Sequence, residues 1–530
     1  MNLNCNTPVI MFLLDIPRKI ALLVFFTLGI FFCFFASAGA IMVRVFNSSI
    51  FEKLVVTQTD TLEDATIKLQ SLLNTGRSLK LTRAYMVTNL TFTVDNQKIE
   101  GGTLISLDCT KPILSINARS GCIVRSTSFV AQSHKNSVAL HISQSINIKI
   151  EKIDVSSYGR AGILLTHVSN CTISSCSFRK AVSNDQFGAS SAVDIDLSGS
   201  NTHCTIVGNN CRSNGGYGIQ IRTNQNGEHS DKHIVSNNVI SGYNSYGILL
   251  YRNSQNRKDV DSQSVSGCVV SGNVISQISG GRASDPTKPR ELIFGAGIYI
   301  QGAEGSLLTN NRITETCLQT NNELLAPGSI GLANVGSAEI RQNYLSKSEM
   351  VGIYVNDANG FGLREGRILL IGNSISSAKH SGVKVMHRNN VIVSHNSIRY
   401  SNYGIILKSS RANPISKLAL TSNNIFDCHE SGITVDGGTG ITISKNQVQK
   451  CGLHGISVGQ TSDIALQKNI VSDIGGRGFE IRSTCEGNII LSGNSAKYCS
   501  VGFLIDAQIK ASSNQHSFNK KDWLGQGKEK

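Results

Sequence analysis

The sequence has little proline, 7 residues in 530, a single tryptophan, and aromatic residues at only 6%. It shows no zinc-ligand spacing, no basic helix and no interleaved aromatic motif, which argues against a nucleic-acid-binding module or a zinc site. Helical periodicity is nearly absent. The repeat described below leaves no room for a ten-residue amphipathic helix, which argues against leucine-rich and ankyrin-type solenoids. Acidic residues are outnumbered, with Asp+Glu at 36 against Lys+Arg at 50 and a net charge of +14. That balance favours a polyanionic partner. With nucleic acid set aside, an acidic polysaccharide is the expected one.

What the chain has in quantity is glycine, 50 residues, and a short sentence repeated between Asn373 and Asp506. Its form is Asn-x-aliphatic, several polar or small residues, then Gly-aliphatic-x-aliphatic. Examples are Asn396-Ser-Ile398 with Gly404-Ile-Ile-Leu407, and Asn446-Gln-Val448 with Gly455-Ile-Ser-Val458. The asparagines at 373, 396, 423, 446, 469 and 494 are separated by 23, 27, 23, 23 and 25 residues. A fixed period in the twenties means one supersecondary unit stacked many times. Each period holds two or three apolar alternations, such as Ile441-Thr-Ile443, parted by Gly, Asn and Ser. These read as short half-buried strands joined by turns. The expected architecture is all-β: a single-stranded right-handed parallel β-helix, three short strands per coil, with coils about 4.8 Å apart. An asparagine at the same corner of each coil would form an interior ladder of amides. Such a repeat resembles that of the pectate-lyase-like superfamily over most of residues 55–515, and the resemblance implies carbohydrate processing as a superfamily tendency. The motifs of its known enzymes are missing: neither the Asp-Pro-His-Asp of mannuronan epimerases, nor the Gly-His-Gly and Arg-Ile-Lys of polygalacturonases, nor the Trp-x-Asp-His of pectate lyases occurs. No catalytic set carries over, and fold does not fix function.

Ahead of the repeat, residues 1–19 are polar and end in Arg18-Lys19, followed by a run without charge from Ile20 to Val43. That run is long enough to span a bilayer, and Ala36-Ser37-Ala38 is a small-x-small cleavage signal. A cleaved export signal and an uncleaved N-terminal membrane anchor are both open. Either places the bulk of the chain outside the cytoplasm, in the periplasm, on the cell surface or in the medium. Asp60 to Asn74 reads as a capping helix with Leu69, Leu72 and Leu73 at helical spacing. The expected divisions are 1–19, 20–43, 44–100 for linker, cap and first strands, 101–515 for the β-helix, and 516–530 for a basic tail.

From Gly101 to Gly352 the repeat is stretched. Ladder candidates Asn209, Asn238, Asn273, Asn311 and Asn343 lie 29, 35, 38 and 32 residues apart. The extra residues fall in Asn224–His233, Asn253–Ser264, Gly280–Phe294 and Leu318–Gly328, and loops on rigid scaffolds carry function. The 14 cysteines include several at matching places: Cys204 and Cys268 five residues before a ladder Asn, and Cys428, Cys451 and Cys499 five after one. Cys171 lies five residues before Cys176, which takes a ladder place. Stacked interior thiols explain the pattern, and adjacent coils lie within disulfide reach by Cα distance.

Aligned on the Gly-aliphatic-x-aliphatic strand, the outward pairs include Asp194/Asp196, Gln220/Arg222, Leu249/Tyr251, Tyr299/Gln301 and Tyr354/Asn356, flanked by His167, Arg252, Asn334, Asp357 and His387. The expected catalytic residues are Asp194, Asp196, Arg222 and His167. Carboxylates two residues apart on one strand face have Cα atoms roughly 6.6 Å apart and suit acid/base work in glycoside hydrolysis. They equally suit Ca²⁺, with Arg222 as the proton abstractor of a lyase; no other cofactor is expected. The expected substrate-binding residues are Tyr251, Arg252, Tyr299, Gln301, Tyr354 and Asn356, with Tyr rings stacking on sugars and Arg meeting uronate carboxylates. The plain alternatives are solvated aspartates, cross-strand tyrosine packing and a surface histidine. The expected activity is a lyase, hydrolase or epimerase acting on an acidic bacterial polysaccharide, in exopolysaccharide production. The alternatives are a non-catalytic polysaccharide-binding or export factor, or a surface adhesin. Nothing in the repeat sets an oligomeric state.

Overall fold

The computed structural model describes residues 62–132, 134–181, 192–225, 227–252, 264–280, 295–318, 328–357, 366–409 and 415–525, with the short strand pieces Leu22–Val24, Cys33–Phe35, Val43–Arg44 and Val55–Val56. The polar segment expected at residues 1–19 lies outside the described residues. So does the run at 20–43, apart from Leu22–Val24, which pairs antiparallel with Cys33–Phe35, and Val43. Among the described residues no helix is long and apolar enough to cross a membrane.

The chain winds as a right-handed parallel β-helix of three sheets. The first sheet holds the Gly-aliphatic-x-aliphatic strands, for example Tyr217–Thr223, Tyr246–Arg252, Ala296–Gln301 and Val351–Asn356. The second holds strands such as Thr205–Val207 and Val391–Ser394, and the third those that follow the ladder asparagine, such as Val274–Ile278 and Ser397–Arg399. Each strand pairs in parallel with its counterpart one coil away, as Ile219 with Ile248 and Ile398 with Ile425. The alternation of buried aliphatic and outward polar residues, such as Ile441-Thr-Ile443, therefore stacks into one continuous core along the whole solenoid.

The repeated glycine is explained by contact. A Cβ at Gly247 would stand 2.6 Å from the Gly297 carbonyl oxygen and 2.7 Å from Cγ2 of Ile275 on the third sheet. The strand enters the first sheet too close to its neighbours for a side chain. At the opposite corner the residue before each ladder asparagine has positive φ, with His395, Ser422, Lys445 and Lys468 all near +55°. This left-handed turn carries the chain from second sheet to third.

The ladder is unbroken over twelve asparagines, from Asn209 to Asn514. In each step the Asn Nδ2 donates to the next Asn Oδ1, as Asn423 to Asn446 at 2.9 Å and Asn446 to Asn469 at 3.0 Å. The same oxygen accepts from the backbone N–H of the preceding asparagine, and Nδ2 also reaches a backbone carbonyl, Leu420 O for Asn446 at 2.9 Å. Cys176 stands at the head of the stack, donating its N–H to Asn209 Oδ1.

Leu62–Asn74 forms the helical cap. Leu69 and Leu73 are buried against the first coil, and the Gln70 side chain exchanges two hydrogen bonds with Thr91 backbone, 2.9 and 2.8 Å, standing in for the absent previous coil. At the other end the expected boundary at 515 moves. Lys521–Gly525 continues the first sheet, with Trp523 paired to Phe503 and stacked on it at 4.9 Å. Residues 516–525 thus complete the last coil, and the remainder of the expected tail lies outside the described residues.

Candidate functional site

The outward face of the first sheet is the candidate site. Its register corrects the sequence alignment at one coil. Ala161 pairs with Val193 and Ile163 with Ile195, so Asp194 stands beside Gly162; on the other side it stands beside Gly218. Asp194 therefore occupies the glycine position, and the outward pair of this coil is Asp196/Ser198. Without a Gly in Val193-Asp-Ile-Asp-Leu-Ser198 the alignment slips by two residues.

Asp194 is consequently interior, with no exposed surface. Its carboxylate accepts hydrogen bonds from Tyr158 Oη at 2.5 Å, from Tyr243 Oη and from Ser213 Oγ. Burial pushes its pKa up to about 6, against the pull of the hydroxyl donors. Asp196 faces the other way. It is 2% exposed and clamps Arg222 bidentately, Oδ1 to Nε at 3.3 Å and Oδ2 to Nη2 at 3.1 Å. The two aspartates do not share a site, so neither the expected acid/base pair nor a shared Ca²⁺ site is formed by them. Among the described residues no three His, Cys, Asp or Glu side chains gather as a metal would require.

Arg222 keeps 29% of its side chain exposed and lies in register beside Tyr251. The arginine is aimed by Asp196, which takes two of its five N–H donors and leaves three for other partners. Gln301 follows Tyr251 in the same outward column, then Ala333 and Asn356. The neighbouring outward column runs Asp196, Gln220, Leu249, Tyr299, Gly331, Tyr354.

The aromatic row differs from the expected one. Tyr251, Tyr299 and Tyr354 are not contiguous: Gly331 separates Tyr299 from Tyr354, which is buried with its hydroxyl on Met386 Sδ at 3.5 Å. Instead Tyr299 stacks on Tyr246 at 5.1 Å and 6°, and Tyr246 on Tyr217 at 5.8 Å and 27°. Tyr217 and Tyr246 sit one residue before the repeat glycine, outside the two positions treated as outward. The signal was the dipeptide Tyr-Gly at 217 and 246. Burial raises the pKa of Tyr217, Tyr246, Tyr251 and Tyr299, so these hydroxyls stay protonated donors. Arg252, expected on the surface, is buried and packs over Gly302, whose absent Cβ would lie 3.1 Å from the arginine.

His167 is 54% exposed, in a left-handed corner at φ 57°, with Nε2 3.9 Å from Glu228 Oε1. Gly199 makes room between them, since a Cβ there would stand 3.2 Å from both. Farther along the same face lies a network not anticipated. Glu480, 6% exposed, is bonded by Ser457 Oγ at 2.6 Å and by Arg477, and lies 3.4 Å from Arg482 Nε and 3.7 Å from His454 Nε2. Burial raises its pKa but is outweighed by Ser457, His454 and the two arginines, which hold it below the ordinary range. The glutamate is fully paired within the network, which leaves one arginine charge in excess. A cleft of about 480 Å³ at Glu315, Lys347, Lys379 and Tyr400 lies at the end of the third sheet and contains none of the expected site residues.

The family model described as "Periplasmic copper-binding protein (NosD)" matches residues 352–519, less than a third of the chain. No curated protein matches it in sequence. Among solved structures it is similar to an exopolygalacturonase from Thermotoga maritima, at 10% identity over 76% of this chain and 87% of that one, TM-score 0.38. It is similar also to the A-module of a mannuronan C-5 epimerase from Azotobacter vinelandii, at 12% identity over 70% and 90%, TM-score 0.34. PfbA, a surface adhesin of Streptococcus pneumoniae, matches at 12% over 76% and 84%, TM-score 0.38.

Proposed function

We propose that this is an exported β-helix protein that holds an acidic polysaccharide across the outward face of its first sheet. The observation that carries the reading is Arg222, oriented by Asp196 and set beside Tyr251 and the stacked Tyr217, Tyr246 and Tyr299. A guanidinium with donors to spare meets a sugar carboxylate bidentately, and the half-buried Tyr217, Tyr251 and Tyr299 offer apolar ring surface and neutral hydroxyls to the neighbouring residues of the chain. Gln301 and Asn356 extend the hydrogen-bonding column along the coil axis. The net charge of +14 supports an anionic partner. Export is supported by the uncharged run from Ile20 to Val43 behind Arg18-Lys19.

Binding is favoured over turnover because Asp194 is sealed inside and Asp196 is committed to Arg222. A catalytic reading draws instead on His167, exposed at the same strand edge with Glu228 beside it. The test is a panel of acidic and neutral polysaccharides titrated against the protein. Acidic polymers should bind. Arg222→Ala should weaken that binding about tenfold, more at low salt than at high, and leave neutral polymers unaffected. New ultraviolet absorbance from an unsaturated uronate, or new reducing ends, lost in His167→Ala, would select the catalytic reading. Equal binding of parent and Arg222→Ala to acidic polymers would overturn the site.

A further inference from the structure

Two pairs of cysteines stand one above the other on adjacent coils. Cys428 and Cys451 are direct register partners at the ends of third-sheet strands. Cys171 and Cys204 precede the second-sheet strands in which Thr172 pairs with Thr205, and the Thr205 N–H donates to Cys171 O at 2.8 Å. All four residues are buried, and their thiols are free. The other described cysteines lack such a neighbour in register. Cys499 lies beside Ile474, Cys211 beside Phe178 and Ile240, and Cys176 beside Asn209.

We propose that Cys171–Cys204 and Cys428–Cys451 are two disulfide sites, each stapling one coil to the next. The inference is independent of the carbohydrate reading. Parallel strands in register hold Cα atoms about 4.8 Å apart, inside the 4.4–6.8 Å window of disulfides. Closing the bond asks only that the Cβ atoms draw in to about 3.5–4.5 Å. The chemistry is thiol–disulfide exchange with a small-molecule or protein disulfide. One cysteine thiolate attacks the reagent and expels a thiolate, and the second cysteine resolves the mixed disulfide. The two cysteines are oxidised, the reagent is reduced to two thiols, and two protons pass from the cysteines to those thiols. Within the closed solenoid all four residues are buried, which keeps an exchanging reagent from their thiols. Exchange therefore takes place while the coil is open, during folding or transient unwinding.

The staples differ in place. The first lies at the second sheet within the stretched coils, the second at the third sheet within the regular ones, so together they tie both parts of the solenoid. The test uses the full-length protein, equilibrated in a mixture of oxidised and reduced glutathione at a urea concentration just below its unfolding transition. Samples are acid-quenched, alkylated in denaturant, digested without reduction and read by mass spectrometry. Two linked peptides are expected, 171–204 and 428–451, each two hydrogens lighter than its reduced parts, with Cys122, Cys176, Cys211, Cys268 and Cys317 alkylated. Cys451→Ser should remove the second link and keep the first. A reductant should lower the melting temperature of the oxidised parent by a few degrees, and that of Cys451→Ser by less. Full alkylation of all four cysteines, or scrambled pairings, would overturn the proposal.

Discussion

Asp194 ties the stability of the coil to pH. Its carboxyl is sealed among Tyr158, Ser213 and Tyr243, and burial raises its pKa from 3.8 to about 6 despite those donors. A folded pKa above the unfolded one means that folding favours the proton. The contribution is full below about pH 4, declines as pH rises toward 6 and is gone above it, a loss on the order of 3 kcal/mol. Asp194→Asn keeps the shape and has no such titration. Melting temperatures of parent and variant, measured from pH 4 to 7, should diverge in the variant's favour as pH rises; parallel curves would refute the linkage. This residue was visible in the sequence as one of two aspartates, but its direction was not. The glycine that marks every neighbouring coil is replaced here by Asp194 itself, and an alternation of period two inverts with any misplacement of its start. Asp196 and Arg222 were legible as outward residues, whereas their mutual clamp depends on rotamers that no periodicity encodes.

The ladder and the three sheets were legible because they rest on a spacing repeated many times. Asn373 to Asn494 stack as the spacing implies, and the stack continues one rung farther, from Asn494 to Asn514 at 3.1 Å. Asn514 was hidden because Lys510–Ser512 and Gln515–Ser517, on either side of it, lack the aliphatic pattern of the other coils. This sets unequal costs along the element. Asn446→Leu, in mid-stack, removes the acceptor shared by the Asn423 Nδ2 and backbone N–H and the side-chain donor to the Leu420 carbonyl, at a cost on the order of 1–3 kcal/mol. Asn514→Leu removes the last acceptor beside solvent, and its cost should be smaller by half or more. Denaturant titrations of both variants check this, and equal losses would mean that the amides act singly. The tyrosine stack was less legible, since it combines a residue before the glycine, at 217 and 246, with one two residues beyond Gly297. Three side chains from two sequence positions meet only because the strands are in register.

At the scale of the molecule, a solenoid has two ends, and each is a row of backbone groups with no next coil to pair. The N-terminal end is closed by Leu62–Asn74, whose Leu69 and Leu73 are fully buried and whose Gln70 satisfies Thr91. The Leu73 carbonyl accepts from Thr93 Oγ1 at 2.5 Å and from Gln97 Nε2 at 2.7 Å, so the helix is locked at its C-terminal turn as well. Because each coil contacts chiefly its neighbours, loss of this cap should leave the distant coils folded while exposing an apolar, hydrogen-bonding end. Leu69→Asp with Leu73→Asp places two charges where the core begins, and the helix should detach rather than bury them. The variant should keep its β-rich circular dichroism and lose little at the Arg222 face, more than 100 residues away in sequence. It should also self-associate with rising concentration, through end-to-end pairing of the exposed strands. Sedimentation velocity against concentration measures this directly. Global unfolding would show that the cap nucleates the solenoid, and a monomer at every concentration would show that the first coil closes the end without its helix.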